Sequence, residues 1–403
     1  MYKLIVKMAW KNLFTRVSRI ALVVLMIAVS MAMMVSIEGL YDGMALNMIE
    51  KNKRSATGDI SIFAKEYRIN RDLKHTIENA TAMQAYIQKL QGVKSVVLRI
   101  SVDGLVSTAR KSSFASINGI DLQAEEKFGK FSEFLKEGRV EFTKHGALLG
   151  LELAKKLKVG IGSKIVFSTQ DASGEISSMV LKVRGILQTT NIELDSSAIF
   201  IEREKLRKFL QMQPSQASQI AIMCNNKEVY KLLKKKYSSF DVKSFLELQP
   251  MLKQTKELML IFNSITFFIV MSVVFIGIFG VMYVSVLGRI REFGILLSIG
   301  MPYRYIRYEI ILESLFVGLL GFVSGALLGG LLLWYLKVYG LDMSSFSDAL
   351  EMWGYEAVIY ATFKSTYFTS TFFAIIGASL LSVVLPLRKI KKLNPVDVIK
   401  VEK

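Results

Sequence analysis

Residues 288–302 hold the most specific pattern in the chain. Arg289, Arg291 and Glu292 stand just past a long apolar run, Glu292 to Ile299 has the period of a short amphipathic helix, and Gly300 with Pro302 behind it supplies a stop. The chemistry on offer is docking: a short helix with an apolar face and a charged shoulder must seat on another surface. Groups for making or breaking bonds are scarce. His75 and His145 lie in polar surroundings without a partner at metal-ligand spacing and read as surface residues, so no metal site is expected. Cys224 is the single cysteine, which excludes an intrachain disulfide. It reads as a small buried hydrophobe in the strand-like run Gln219 to Cys224. The sequence carries no nucleophile elbow, no metal triad and no glycine-rich phosphate loop behind a strand. No catalytic residue is assigned, and a protein-binding or ligand-gating role is favoured over an enzymatic one.

The docking stretch is positioned by four long apolar runs, Ile20 to Leu40, Leu258 to Leu287, Ile310 to Tyr335 and Tyr367 to Leu387. Each is near or above the ~20 residues that a helix needs to cross ~30 Å of hydrocarbon. Mean hydropathy is +0.37 although 21% of residues are charged. Both hold because the charge gathers in residues 41–256 and at the ends of the runs. The expected fold class is a multi-pass α-helical membrane protein. Four transmembrane helices are arranged one plus three, with a large mixed α/β extracytoplasmic domain between the first two. Its parts are an amphipathic N-terminal segment (1–19), span one (20–40), the external domain with helical stalks (41–257), span two (258–287), a cytoplasmic loop (288–309), span three (310–335), a short external loop (336–366), span four (367–387) and a cytoplasmic tail (388–403). The first run is too long for a signal-peptide core and lacks a small-x-small cleavage site, so it is expected to be retained.

Short loops set orientation. Lys3, Lys7, Lys11, Arg16 and Arg19 precede span one without an acid among them, and Arg289, Arg291, Arg304 and Arg307 lie between spans two and three. Arg388, Lys389, Lys391, Lys392, Lys400 and Lys403 follow span four, whereas Asp342, Asp348, Glu351 and Glu356 sit between spans three and four. Both termini are therefore expected in the cytoplasm. The net charge of +18 forms no recognition helix or aromatic-basic stripe, so it points to anionic lipid headgroups and not to nucleic acid. Residues 2–14 admit two readings, an interfacial helix with Lys3, Lys7 and Lys11 on one face, or a plain basic flank.

In the external block, strands are expected at Asp59 to Ala64, Val93 to Ser107, Lys164 to Thr169, Met179 to Leu187, Ile199 to Ile201 and Ile220 to Cys224. Helices are expected at Ile77 to Leu90, Ala147 to Leu157, Glu204 to Leu210 and Glu228 to Tyr237. Tyr41 to Lys53 and Ser244 to Glu257 extend spans one and two as stalks. Gln170, Asp171, Ser173, Gly174 and Glu175 have the turn chemistry of a hairpin tip. In the membrane, Gly318, Gly321, Gly325 and Gly329 on span three and Ala28, Ala32 and Ser36 on span one form small-residue stripes for close helix packing. Glu313 lies about one turn into span three, within reach of Arg307 or Arg289, as an anchor more than a transport ligand. Midplane polar groups and broken, repeated helices of a secondary carrier are absent from the sequence.

The run Arg291, Glu292, Phe293, Gly294, Ile295, Leu296, Ile299 and Gly300 resembles the pattern that follows the second span in MacB/FtsX-type ABC transporter permeases. Leu297 and Ser298 stand where that family usually has a basic residue and alanine. Glu313 with the glycines behind it, the closing run from Pro386 through Asn394, Pro395 and Asp397, and the segment Gly150 to Lys164 are similar to the same family. The layout is closest to lipoprotein-releasing permeases such as LolC and LolE. The resemblance implies a mechanotransmission permease of the bacterial inner membrane, paired with a second permease and driven by a separate ABC ATPase that binds ATP and Mg and grips the helix at Gly294. It implies no cofactor in this chain, and a periplasmic carrier protein recruited by the 170–175 hairpin. Two alternatives remain open: a transducer that activates an external cell-wall hydrolase, and an efflux permease for small toxic compounds.

Overall fold

Runs of Leu, Ile, Val and Phe that stay apolar on all sides cannot fold against water, and here they form the long helices of the protein. The computed structural model describes residues 2–14, 17–143, 145–189, 191–346, 350 and 357–391. Arg16, Asp348, Glu351, Glu356 and the tail beyond residue 391, with its basic residues and the Asn394–Asp397 motif, lie outside the described residues. Among the described residues, four helices are long and apolar enough to cross a membrane: Val17–Thr57, Pro250–Leu287, Tyr303–Val338 and Ser365–Lys391. The expected fold class, four such helices with a mixed α/β domain between the first and second, is the one found. The chain divides into two compact units, one built from Met1–Ala45, Lys256–Ser344 and Val358–Lys403, the other from Leu46–Thr255 and Ser345–Ala357.

In the membrane unit the small-residue stripe of span three lies against span one. A Cβ on Gly325 would sit 2.9 Å from Met31 Cβ and 3.1 Å from Ala28 Cα, and one on Gly329 would sit 3.0 Å from Ala32 Cα. Gly321 faces Ile27 in the same way, while Gly318 faces Ser379 of span four. Helices in lipid gain their association from such packing, because hydrocarbon tails are as apolar as the side chains themselves. The N-terminal helix, Tyr2–Leu13, turns Lys3, Lys7 and Lys11 outward and buries Ile5, Ala9 and Leu13. Its apolar face is thus taken up by protein, and Trp10 meets Phe316 of span three edge-on at 5.4 Å.

The external unit is organised by one long strand. In chain order the strands are β1 (Ile60–Phe63), β2 (Val93–Ser107), β3 (Ser112–Ile120), β4 (Leu135–Gly138), β5 (Gly146–Gly150), β6 (Lys164–Gln170), β7 (Ile176–Leu187), β8 (Ala198–Glu202), β9 (Gln219–Cys224) and β10 (Asp241–Ser244). The first half of β2 completes an antiparallel lobe in the order β10-β1-β9-β2. That lobe buries Ile62, Leu98 and Ile222 with Ile87 and Leu233 from the helices Ala80–Gln88 and Lys227–Lys236. Its second half enters a ring of pairings, β2–β3–β8–β5–β7–β6 and back to β2. Val102, Val106, Ile117, Leu149, Phe167, Val183 and Ile199 belong to the core of this small barrel. Apolar and polar residues alternate in β2 from Leu98 to Val102, while Val96 to Ile100 are all buried, and the strand has the limits expected from the sequence.

Three expectations need correction. The helix expected over Ala147 to Leu157 begins as β5 and turns helical only at Leu151. β5 is buried between β7 and β8, and a short strand covered on both faces has the same unbroken apolar run as a helix start. The stalk expected from Ser244 is interrupted, because a short helix, Phe245–Leu248, capped by Ser244 and Glu247, ends before Pro250 opens the span-two helix. Cys224 is half-buried at the end of β9, its Sγ 3.7 Å from the Asn226 carbonyl.

The span-one helix continues unbroken to Asn52 and ends in a π-helical turn, Lys53–Thr57. Within the external unit, that turn is held by several side chains. Arg99 of β2 grips both carboxylate oxygens of Glu125 at 2.6 and 2.7 Å and donates to the Ala56 carbonyl, with Phe128 beneath its guanidinium at 5.2 Å. Gln219 of β9 reaches the same carbonyl at 3.3 Å, Arg54 donates to the Gly129 carbonyl at 2.7 Å, and Lys53 pairs with Asp59 at 2.7 Å. Arg99 and Glu125 are 5% and 2% exposed, so loss of either partner would strand a charge in the core, at a cost of ~3–5 kcal/mol.

The glycine stripe is tested by Gly325→Leu. Added methylenes would collide with Met31 and the Ala28 backbone, and overpacking of this kind costs ~1–3 kcal/mol. The unfolding midpoint in detergent is expected to fall for Gly325→Leu and to hold for Gly330→Leu, whose Cβ would meet nothing within 4 Å. Equal midpoints in the two variants would refute the packing role.

Candidate coupling site

The docking stretch forms a helix over Ile290–Ser298. Its end follows from Gly300, which takes φ +91° while its N–H bonds the Leu297 carbonyl at 3.1 Å and the Met301 N–H bonds the Leu296 carbonyl at 3.0 Å. This crossed pair of bonds closes a helix only where the residue after the cap is left-handed, a backbone shape that glycine adopts at least cost. Phe293 and Gly294 face inward and are buried, with Leu296 partly buried beside them. Arg291, Glu292, Ile295 and Ile299 are exposed and form the outward face.

What fastens this helix to the spans is a charge cluster centred on Arg289. Its Nη2 meets Glu309 Oε1 at 2.7 Å, its Nη1 meets Glu313 Oε2 at 3.3 Å, and its Nε meets Glu292 Oε2 at 3.0 Å. The guanidinium also lies over the Phe293 ring, 4.9 Å from its centroid. Asn12 of the N-terminal helix donates to Glu309 Oε1 at 2.8 Å, and Ser285 at the end of span two donates to Glu313 Oε1 at 3.3 Å. Burial works against the charge on Arg289. Hydrogen bonds to Glu309 and Glu292, with the charges of Glu309 and Glu313, more than offset it, so its pKa is raised. Glu309 and Glu313 are 1% and 4% exposed. A cavity of about 20 Å³ between Asn12, Ser285, Arg289 and Glu313 has room for about one water. One guanidinium thus ties the docking helix to span three, and through the two acids to span two and the N-terminal helix.

Of the alternatives for Glu313, the structure selects Arg289. Arg307 instead lies against the Tyr308 ring at 5.5 Å. Glu309 and Asn12 were not singled out from sequence. The available signal was the pair of acids one turn apart on an apolar helix, facing a loop with four arginines.

The other candidate residues lie away from this cluster. Ala28, Ala32 and the four glycines sit in the span packing described above. Gln170, Asp171, Ser173, Gly174 and Glu175 form the turn between β6 and β7, ordered around one carboxylate. Asp171 accepts from Ser173 N–H at 2.9 Å, Ser173 Oγ at 2.6 Å, Glu175 N–H at 3.1 Å and Gln211 Nε2 at 2.9 Å. The Ser173 hydroxyl bond, with the backbone bonds, holds the Asp171 carboxyl below its usual range. The tip is short and tied down, with Ile176 exposed beside it. His75 is exposed and lies 3.7 Å from Glu66, and no cluster able to hold a metal occurs among the described residues.

Comparison with known proteins adds the family. Residues 20–236 match the MacB-like periplasmic core domain, and residues 264–395 match the FtsX-like permease C-terminal model. The chain is 29% identical over 206 residues to the macrolide export ATP-binding/permease protein MacB of Pasteurella multocida, covering 47% of this chain and 30% of that protein. It is 27% identical over 154 residues to the lipoprotein-releasing system transmembrane protein LolE of Haemophilus influenzae, covering 36% and 37% of the two chains. The chain therefore spans about a third of the length of these relatives. The solved periplasmic region of MacB from Actinobacillus actinomycetemcomitans aligns at 16% identity and a TM-score of 0.34, covering 51% of this chain and 98% of that one. With the core-domain model covering more than half of its residues and the permease model following it through the later spans, the chain belongs to the MacB/FtsX-type family of ABC transporter permeases.

Proposed function

We propose that this chain is the non-catalytic permease subunit of an ABC system that works by mechanotransmission. A separate partner ATPase binds ATP and Mg and presses on Arg291, Glu292, Ile295 and Ile299. Two permeases, identical or related, stand side by side in a bacterial inner membrane with their termini in the cytoplasm. The observation that carries this reading is the Arg289 cluster. A helix that only floated on the membrane surface would need no buried charge, whereas one that must pull on three other helices needs a bond that does not slip. At ~3 Å, opposite charges with little water between them make the stiffest non-covalent tie available.

The substrate we infer is a lipoprotein or another amphiphile drawn from the outer leaflet. Leu260, Ile261, Ile265 and Phe268 leave one face of the outer half of the span-two helix exposed and apolar, which supports a lipid-like cargo, as does the likeness to LolE. Depletion of the protein is expected to leave lipoproteins in the inner membrane on sucrose-gradient fractionation. Cell chaining with normal sorting would replace this reading with hydrolase activation, and macrolide sensitivity alone would replace it with efflux.

The two faces of the docking helix should separate in mutants. Arg291→Glu with Ile299→Asp, which leaves the Arg289 partners in place, is expected to lose the co-purifying ATPase. Arg289→Met should retain the ATPase and its hydrolysis, yet lower transport in proteoliposomes about tenfold or more, since a buried ion pair is broken. Undiminished transport in Arg289→Met would dismiss the cluster as a coupling element. Orientation is checked with a cysteine at Ser112 in a Cys224→Ala background. A membrane-impermeant maleimide should label it in intact spheroplasts, and labelling only after lysis would invert the topology.

A further inference from the structure

The external unit contains a cleft of about 310 Å³ between its antiparallel lobe and its barrel. Its walls include residues at the ends of both span helices inside this unit. Ala56 and Thr57 close the span-one helix, and Gln249 directly precedes Pro250 of the span-two helix. Arg68, held against β10 of the lobe, and Arg71, held against Asp103 of β2 and Ser116 of β3, line part of the cleft. Their ion pairs run through Nη1 alone, to Asp241 at 3.3 Å and to Asp103 at 2.9 Å, which leaves further N–H donors on each guanidinium among the described residues. Glu193, on the helix Ile192–Ser197 packed against the barrel, lines another part, and among the described residues its carboxylate has no cation within ion-pair distance. Phe63, Phe200 and Leu248 add apolar surface, and amide side chains such as Asn118 supply both donors and acceptors.

We propose that this cleft binds a short peptide with free termini, its carboxylate on Arg68 and Arg71 and its ammonium on Glu193. Charge decides against a simple anion. Each lining arginine already has a carboxylate, Asp241, Asp103 or Glu125, so the cleft carries no net positive charge to hold phosphate. A zwitterion is neutral as a whole and meets donors at one end and an acceptor at the other. The volume lies at the lower end of the range for small-molecule sites, which limits the occupant to a few residues. Such an occupant would touch both helix roots at once. Any effect of that contact on a partner ATPase rests on the mechanotransmission reading, whereas the binding itself does not.

The test is isothermal titration calorimetry on the full chain in detergent, with trialanine, its N-acetyl form, its C-amide form and inorganic phosphate as probes. Trialanine should bind, and masking either terminus should weaken it about tenfold, the usual worth of a hydrogen bond to a charged group. Glu193→Gln should abolish the preference for a free N-terminus, and Arg71→Gln the preference for a free C-terminus, each with an unchanged circular dichroism spectrum. Ser197→Trp, placed in the cleft wall, should remove binding altogether. Equal binding of all three peptides, binding of phosphate alone, or no heat with any peptide would each overturn the proposal.

Discussion

A guanidinium at the edge of a membrane bundle must be matched or moved. Left alone, Arg289 would face a desolvation cost of several kcal/mol, and so would Glu309 and Glu313. Together, at 2.7 and 3.3 Å, the three stabilise one another, but only while span two, span three and the docking helix keep their relation. A hydrophobic contact would tolerate sliding, because its free energy depends on area and not on alignment. The buried pair does not, since a displaced partner leaves an uncompensated charge. The remaining features of this end follow from that requirement: Phe293 beneath the guanidinium, Asn12 on the second lone pair of Glu309, and the Gly300 turn that lets span three begin at once.

The external unit repeats the device at its own attachment point. Arg99 and Glu125 are buried together, and the arginine's remaining donor holds the Ala56 carbonyl in the terminal turn of the span-one helix. A helix end buried in protein normally leaves orphan carbonyls. Here one of them is answered by a residue in the middle of β2, the strand shared by both lobes. The barrel and the antiparallel lobe thus share, through β2, one contact with that helix end, and the cleft lies beside it.

The sequence showed some of this directly. The four apolar helices and the α/β character of residues between them were legible, because hydrophobic length and period-two alternation are local properties. The limits of β2 were readable residue by residue, as were the pairing of β6 with β7 and the halt of the docking helix at a glycine. β5 reads as helix in the sequence, since burial on both faces erases alternation and leaves Ala147, Leu148 and Leu149 looking like the start of a helix. β3 went unseen because Ser112, Ser113, Ser116, Asn118 and Gly119 dilute its apolar pattern, although Ala115 and Ile117 are fully buried.

By itself, the sequence determined which four segments are long and apolar enough to cross a membrane, and that a short amphipathic helix ending at a glycine follows the second of them. Tertiary structure alone decided which charge answers which. Arg289 rather than Arg307 takes Glu313, Glu309 joins it, and Arg99 finds Glu125 and Ala56, residues 26 and 43 positions away. The physical reason is range. Apolar periodicity is set by neighbours within a few turns, whereas an ion pair is chosen by whichever partners the packing brings within ~3 Å, and that depends on the whole fold.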